Sequence, residues 1–593
     1  MITTTTAKIL ELGLDKIGDW NPQLMRELQG RLRWRNLLMA LIPTILLQTF
    51  IVLKYVVKLP VEGPANRYCM GPTPNGMPLC ERLGTSAASG WQTNWPLFWA
   101  DILKDLSLVV PWVVVLGGVY LLAADLSKEI RRGTLNFLRM SPQQGRQILL
   151  GKLLGVPILL YVALVAILPL HSFVALHTDF DFAKILAFYG VLVATMVCFY
   201  AAALWFALVA EALQGFQPWL ATGLVAVILM AGMQGDAQGS VLNWARLFNP
   251  LNSLRFLADN TPSKDNLGIM LDGILTDTHG LRHFAWWYAP IGADFRSYAL
   301  LAISNALGFG LIYWLLLERR FQSPATSIIS KRHSYGLSLW AAVWFVGFDL
   351  QQDCADYCFD PNYIPGTPNA IWLFASFSPS FIILGLLLIA LLLPTPQALI
   401  DWARYRRQGG RQSDRPHAQL TRLLQDLLWQ DNSPPMLAFG LNGVIVLAVL
   451  ALGVGVQGTV SLTQLWVIWG LYELLLLNGL LVVQRLAIAN FTHWRWMAIG
   501  ALLAGGLGVP MALGLLGIQT GTSGGSLFLF TLMAPQAVEV ANFGAMAIAF
   551  AVQLSLTTLL TTTFSRRLGQ LGQSEWKALS EQRPRPRLAS LDR

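Results

Sequence analysis

The apolar residues of this chain fall in blocks of about 20, and that block length limits the fold more than any other feature. A helix rising 1.5 Å per residue needs about that many residues to cross roughly 30 Å of hydrocarbon. Hydrocarbon offers no partner to a free backbone N–H or C=O, so blocks of this length must be helical. A membrane barrel would show short alternating segments instead, and the pattern does not fit one. Charged residues make up 13% of the 593, about half the roughly 25% of a soluble domain, and mean hydropathy is +0.51. The expected fold is therefore all-α: a polytopic integral membrane protein.

About twelve spans are expected, in two six-helix halves. The first six lie near 37–57, 104–124, 149–172, 184–210, 217–234 and 299–317. The second six lie near 337–352, 371–393, 436–456, 462–484, 496–517 and 541–564, and 526–536 could be a half-span or a re-entrant piece. The expected organisation is an N-terminal segment 1–36, a six-span domain 37–320, a linker 321–336, a second six-span domain 337–564 and a tail 565–593. A Pro- and Arg-rich segment at 394–435 interrupts the second domain. No sequence repeat relates the halves.

The net charge of +9 sits beside the apolar blocks, where Lys and Arg set topology. No basic face carries interleaved aromatics, so no nucleic-acid partner is expected. Lys128, Arg131, Arg132, Arg139 and Arg146 share one side with Arg319, Arg320, Lys331 and Arg332. Arg404, Arg406, Arg407, Arg411, Arg415, Arg566, Arg567 and Lys577 continue the set, whereas the loop 353–370 holds Asp353, Asp356 and Asp360 and no Lys or Arg. By the positive-inside rule both termini are expected in the cytoplasm. The first twenty residues lack the apolar core and cleavage site of a signal peptide. Long outer loops are expected at about 58–103 and 235–298, the second bearing interfacial aromatics. Cys69, Cys80, Cys354 and Cys358 fall on the outer side and Cys198 within a span. Cys69 and Cys80 bracket GPTPNGMP, which a disulfide would close; two free thiols are the other reading. Cys354 and Cys358 have no local His, and no metal site is expected.

The segment KEIRRGTLNFLRMSP at 128–142 specifies a helix end, a bend, a short helix and a new helix start. Gly133 permits the sharp turn, and Thr134 is expected to cap LNFLRM through its hydroxyl. Ser141 is expected to cap the third span, with Pro142 at its first position and Gln144 completing a capping box. Such a rigid elbow suits contact with another protein. Here the chain resembles the permease subunits of type-2 ABC exporters. The resemblance rests on Glu129, Arg131 and Arg132, Gly133-Thr134, Leu138, Pro142 and Gly151-Lys152, and covers roughly residues 20–320. It implies that 128–142 is a coupling helix seated in a cleft of a separate ATP-hydrolysing subunit, which would hold the ATP and Mg. NPQLMRELQGRLRWRN at 21–36 has Asn21 as a cap, Pro22 at the first helical position and an apolar stripe of Leu24, Met25, Leu28 and Leu32. It reads as an amphipathic helix on the membrane surface and looks like the family's connecting helix. NPLNSLRFLA at 249–258 weakly resembles the family's re-entrant segment.

The second half has no such elbow, so a degenerate copy or pairing of two chains must complete a transporter, and a homodimer is preferred. GRQILLGKL at 145–153 has five residues between its glycines and Leu after Lys, where a phosphate loop needs four and Ser or Thr. No catalytic residue and no resident cofactor are expected in this chain. The expected function is the permease of an ATP-driven exporter in a bacterial inner (plasma) membrane, its substrate unreadable. An ion-coupled transporter would need intramembrane ionisable groups, and Glu473, with Asn478 nearby, is the best candidate, Glu211 lying near a span end. A membrane enzyme acting on lipid-linked substrates would need convergence among His171, His177, Asp179 and Asp181. A scaffold without transport is a further alternative, which ATPase binding would exclude.

Overall fold

The computed structural model describes residues 16–60, 66–72, 79–80, 92–178, 182–213, 215–232, 242–253, 286–287, 289, 291, 294–324, 326–349, 370–409, 416–457, 462–489, 491, 493–519, 524–538 and 541–573. All regular elements among them are helices. Described residues up to Gln322 form one compact unit and those from Ser323 onward a second. Among the described residues nine helices are long and apolar enough to span a bilayer, or ten if Ser380–Leu392 and Pro396–Arg406, bent by 65°, count as one. Large apolar side chains lie exposed along them, such as Met39, Ile42, Leu46 and Phe50, as a hydrocarbon solvent requires.

The first unit contains α1 (Pro22–Arg31), α2 (Trp34–Val56), α3 (Trp95–Arg132), α4 (Thr134–Arg139), α5 (Gly145–Gly155) and α6 (Ile158–Leu176). It continues with α7 (Phe182–Val209), α8 (Gln217–Ala231), α9 (Leu242–Arg246) and α10 (Phe295–Gln322). α3 overruns its expected limits of 104–124 at both ends. Pro111 lacks the N–H that would hold the preceding turn, and a π segment, Trp112–Leu116, follows it. The hydroxyl of Tyr200 donates to Val114 O at 2.7 Å within this segment. Gly118 leaves room for the Tyr200 ring, which a Cβ there would strike. The expected third span, 149–172, is two helices, because Pro157 interrupts the ladder between α5 and α6. α7 and α10 pack closely through small residues: Ala302, Ala306 and Gly310 are buried, and Gly310 faces the backbone of Cys198. α8 has 15 residues, about 23 Å, which is short of a span. Asn249 donates to Leu229 O and Asn252 to Gly232 O, satisfying carbonyls at the end of α8. Of the 249–258 segment only 249–253 is described.

A disulfide joins Cys69 and Cys80, with Cα atoms 4.8 Å apart. The Tyr68 hydroxyl donates to buried Asp101 at 2.9 Å, and Arg67 meets the same carboxylate at 3.0 Å. These bonds pin the bridged loop to the start of α3. Cys354, Cys358, Asp179 and Asp181 lie outside the described residues.

The second unit contains α11 (Lys331–Asp349), α12 (Ala370–Leu392), α13 (Pro396–Gly409), α14 (Pro416–Trp429) and α15 (Met436–Gln457). It ends with α16 (Leu462–Ala487), α17 (Trp494–Leu515), α18 (Ala534–Val538) and α19 (Phe543–Leu571). α11 starts at Lys331, inside the expected linker 321–336, and the segment 394–435 carries helices α13 and α14. Buried Lys331 donates to Leu427 O, Ser433 Oγ and Pro434 O, closing α11 onto the end of α14. Burial pushes its ammonium down to about 7, against the pull of Asp431 and Asp426. Around 526–536 a 3₁₀ turn, Gly525–Phe530, precedes the five-residue α18.

Candidate functional site

α3 ends because Gly133 adopts φ 72°, a left-handed conformation that costs a residue with a Cβ. The chain turns there directly into α4, the short helix of the elbow. Thr134 does not cap that helix forward. As its first residue, it turns its hydroxyl back to Glu129 O at 3.2 Å, sealing the end of α3. Ser141 does not open the next helix either, since its hydroxyl donates to Leu138 O at 2.7 Å and closes α4. Pro142 disfavours a helical conformation at the residue before it, so the new start shifts to Gln144. Gln144 is extended, at φ −66° and ψ 137°, and makes no side-chain cap bond, so the expected capping box does not form.

Leu135 and Leu138 are buried and anchor α4, whereas Arg131, Arg132, Thr134 and Pro142 are exposed. Leu138 is therefore an anchor and not a contact residue. Two residues missed by the sequence reading, Phe137 and Met140, stand 73% and 78% exposed on the same elbow. Their signal was available: both are apolar yet lie off the i, i+3 stripe made by Leu135 and Leu138. The far side of the elbow is tied to α10, where Arg146 Nε meets Glu318 at 2.6 Å and Arg139 lies over the Phe321 ring. Burial lowers the pKa of Arg139, with Glu211 opposing.

Glu129 faces inward. Its Oε1 lies 2.8 Å from Lys152 Nζ and 3.6 Å from Arg26, so it sets the elbow without lining its surface. Lys152 is 0% exposed and also meets Asp125 at 2.7 Å. Arg31 joins Asp125 at 2.9 Å to Glu27 at 3.1 Å. Three carboxylates, Glu27, Asp125 and Glu129, thus face three cations, Arg26, Arg31 and Lys152, across α1, α3 and α5.

Asn21 Oδ1 caps α1 by accepting from Leu24 N at 2.9 Å, and its amide donates to Gln147 O of α5 at 2.7 Å. Pro22 takes the first helical position. Leu24 and Leu28 are buried and Leu32 is half-buried. α5 supplies Gly151 and Gly155 where α1 crosses it; a Cβ at Gly151 would lie 2.8 Å from Leu24 N. The apolar stripe of α1 therefore packs on protein and is not left for lipid.

The block 94–320 begins at Asn94, which caps α3, and closes within α10. It encloses the bend, the short helix and the Lys152 pairs. The same residues match the family model described as ABC-2 family transporter protein. The block is an ABC-2 transporter domain. No curated protein and no solved structure matches the chain. Nine apolar helices among the described residues make this a multi-pass integral membrane protein, and the ABC-2 match over 94–320 supports a permease-type membrane component of an ABC transporter. Proteins with such a domain associate with an ABC ATPase subunit.

Among the described residues the other candidate groups do not converge. His171 is buried against Ser107, with Oγ to Nε2 at 2.8 Å, while His177 is exposed and bonds Phe173 O. Glu211 opens a 3₁₀ turn beyond α7. The Glu473 carboxyl packs over Gly443 of α15, and Asn478 instead meets Thr557 of α19 at 2.9 Å. No cluster of three metal-ligating side chains occurs among the described residues.

Proposed function

We propose that this chain is the permease of an ATP-driven exporter and that α4 is the part gripped by its ATPase partner. The observation carrying this reading is an exposed Phe137–Met140 face on a helix whose other face is locked to the ABC-2 domain. A force transmitter needs both properties: a contact surface for the motor and little give behind it. The Lys152 pairs and the packing of α1 on α5 supply the stiffness. Closing of two ATPase subunits would push α4 and rock α3 with it, since Gly133 leaves no slack residue between them. This chain does no covalent chemistry in that cycle; ATP and Mg belong to the partner. Two chains paired through their ABC-2 domains would provide two coupling surfaces, because the second half has no equivalent sequence.

The same reading places both termini in the cytoplasm of a bacterial inner membrane. The test is a reconstituted complex of this chain with its ATPase. Glu129→Ala is expected to insert normally yet lower substrate-stimulated ATP hydrolysis several-fold, because Lys152 loses one of its two carboxylates. Unchanged coupling would count against the assignment.

A further inference from the structure

α16 and α19 run side by side in the second unit, and where their apolar sequence ends they surround a concavity of about 350 Å³. Its lining is Arg485 and Ala489 from one strand of chain and Thr563, Arg566, Arg567 and Gln570 from the other. Arg485 Nη1 donates to Thr563 Oγ1 at 2.6 Å, which turns that guanidinium toward α19. Among the described residues no carboxylate pairs with Arg485, Arg566 or Arg567, whereas the cations under the elbow are all matched. Three uncompensated guanidiniums facing one hollow repel each other unless an anion joins them. Arginines that only set topology need no such convergence.

We propose that this hollow binds a phosphate-ester anion at the membrane–water boundary. The guanidinium fork matches two phosphate oxygens at once, and the Gln570 amide adds a neutral donor, while Thr563 orients Arg485. Basic pockets between spanning helices hold anionic headgroups in this way. The headgroup of an anionic phospholipid and a soluble phosphate compound share this chemistry. Exposed Leu559 and Leu556 of α19, one and two turns before Thr563 on the same helix face, continue from the hollow into the apolar zone and offer a bed for acyl chains.

The test uses the delipidated full-length protein in neutral detergent, with ligand binding read by native mass spectrometry. Probes are phosphatidylglycerol, phosphatidylcholine and inorganic phosphate. The wild type is expected to bind phosphatidylglycerol on the order of tenfold more tightly than phosphatidylcholine. R566Q/R567Q is expected to remove that preference. The triple variant R485K/R566K/R567K keeps the charge and the topogenic signal but loses the forks, and is expected to weaken binding several-fold. It carries the test if the glutamine variant fails to fold. Competition by inorganic phosphate would identify a soluble ligand, and its absence a lipid headgroup; both support the site. Equal binding of every probe by wild type and folded variants would overturn it.

Discussion

Lys152 shows how one side chain couples three helices. Its ammonium is fully buried, and burial of a lone charge is costly enough that partners are obligatory. Asp125 and Glu129 supply them from one face of α3, four residues apart and one turn above the bend. Lys152→Met would leave two carboxylates without their shared cation. The expected loss is about 3–5 kcal/mol of stability, read as a shift in denaturant or thermal unfolding in detergent. A shift no larger than that of Arg26→Met, where the side chain removed is 56% exposed, would show that the pairs do not hold the elbow. Glu129 belongs to the same network, so its substitution acts on the position of α4 and not on the surface presented to a motor.

At the scale of elements, the stiffness of α3 depends on how it survives Pro111. The π segment absorbs the missing donor, Tyr200 covers Val114 O, and Gly118 admits the Tyr200 ring. Gly118→Ala is expected to force the buried ring aside and to lower thermal stability by about 1–3 kcal/mol, the usual cost of overpacking. Gly118→Ala combined with Tyr200→Phe should recover little, because the ring itself occupies the space; full recovery would show that only the hydroxyl mattered. Element length and type were legible in sequence because hydrocarbon thickness dictates block length, and every apolar block is helical in its described residues. The bend was legible because Gly133 is the one glycine in the elbow, free of the Cβ that makes a left-handed turn costly. The direction of the Thr134 and Ser141 hydroxyls was not. A hydroxyl can serve the helix behind it or ahead of it, and only the position of Pro142 with the actual helix start separates the two. The Lys152 pairs were hidden for another reason: their members come from residues 26–31, 125–129 and 152 and meet only once α1 crosses α5. Gly151 and Gly155, four residues apart, were the available trace of that crossing.

At the scale of the molecule, the ABC-2 domain 94–320 lies within one unit, and the second unit adds helices with a different polar inventory. Its interior pairs, Ser338 with Asn442 at 2.8 Å and Thr557 with Asn478 at 2.9 Å, join helices to each other and do not trace a chain of acids across the bilayer. Among the described residues of α15, α16, α17 and α19, Glu473 is the one carboxyl, whereas a proton relay of the kind that drives secondary transport uses a chain of them. On the proposed reading energy enters through a partner, and α4 offers an exposed apolar grip for one. The most direct measurement is site-specific photocrosslinking of the reconstituted complex. A photoreactive residue is placed in turn at Phe137, Met140 and the outer-loop position Met70. The account predicts ATPase adducts from Phe137 and Met140 and none from Met70. Assembly of an active complex without adducts at either elbow position would contradict it.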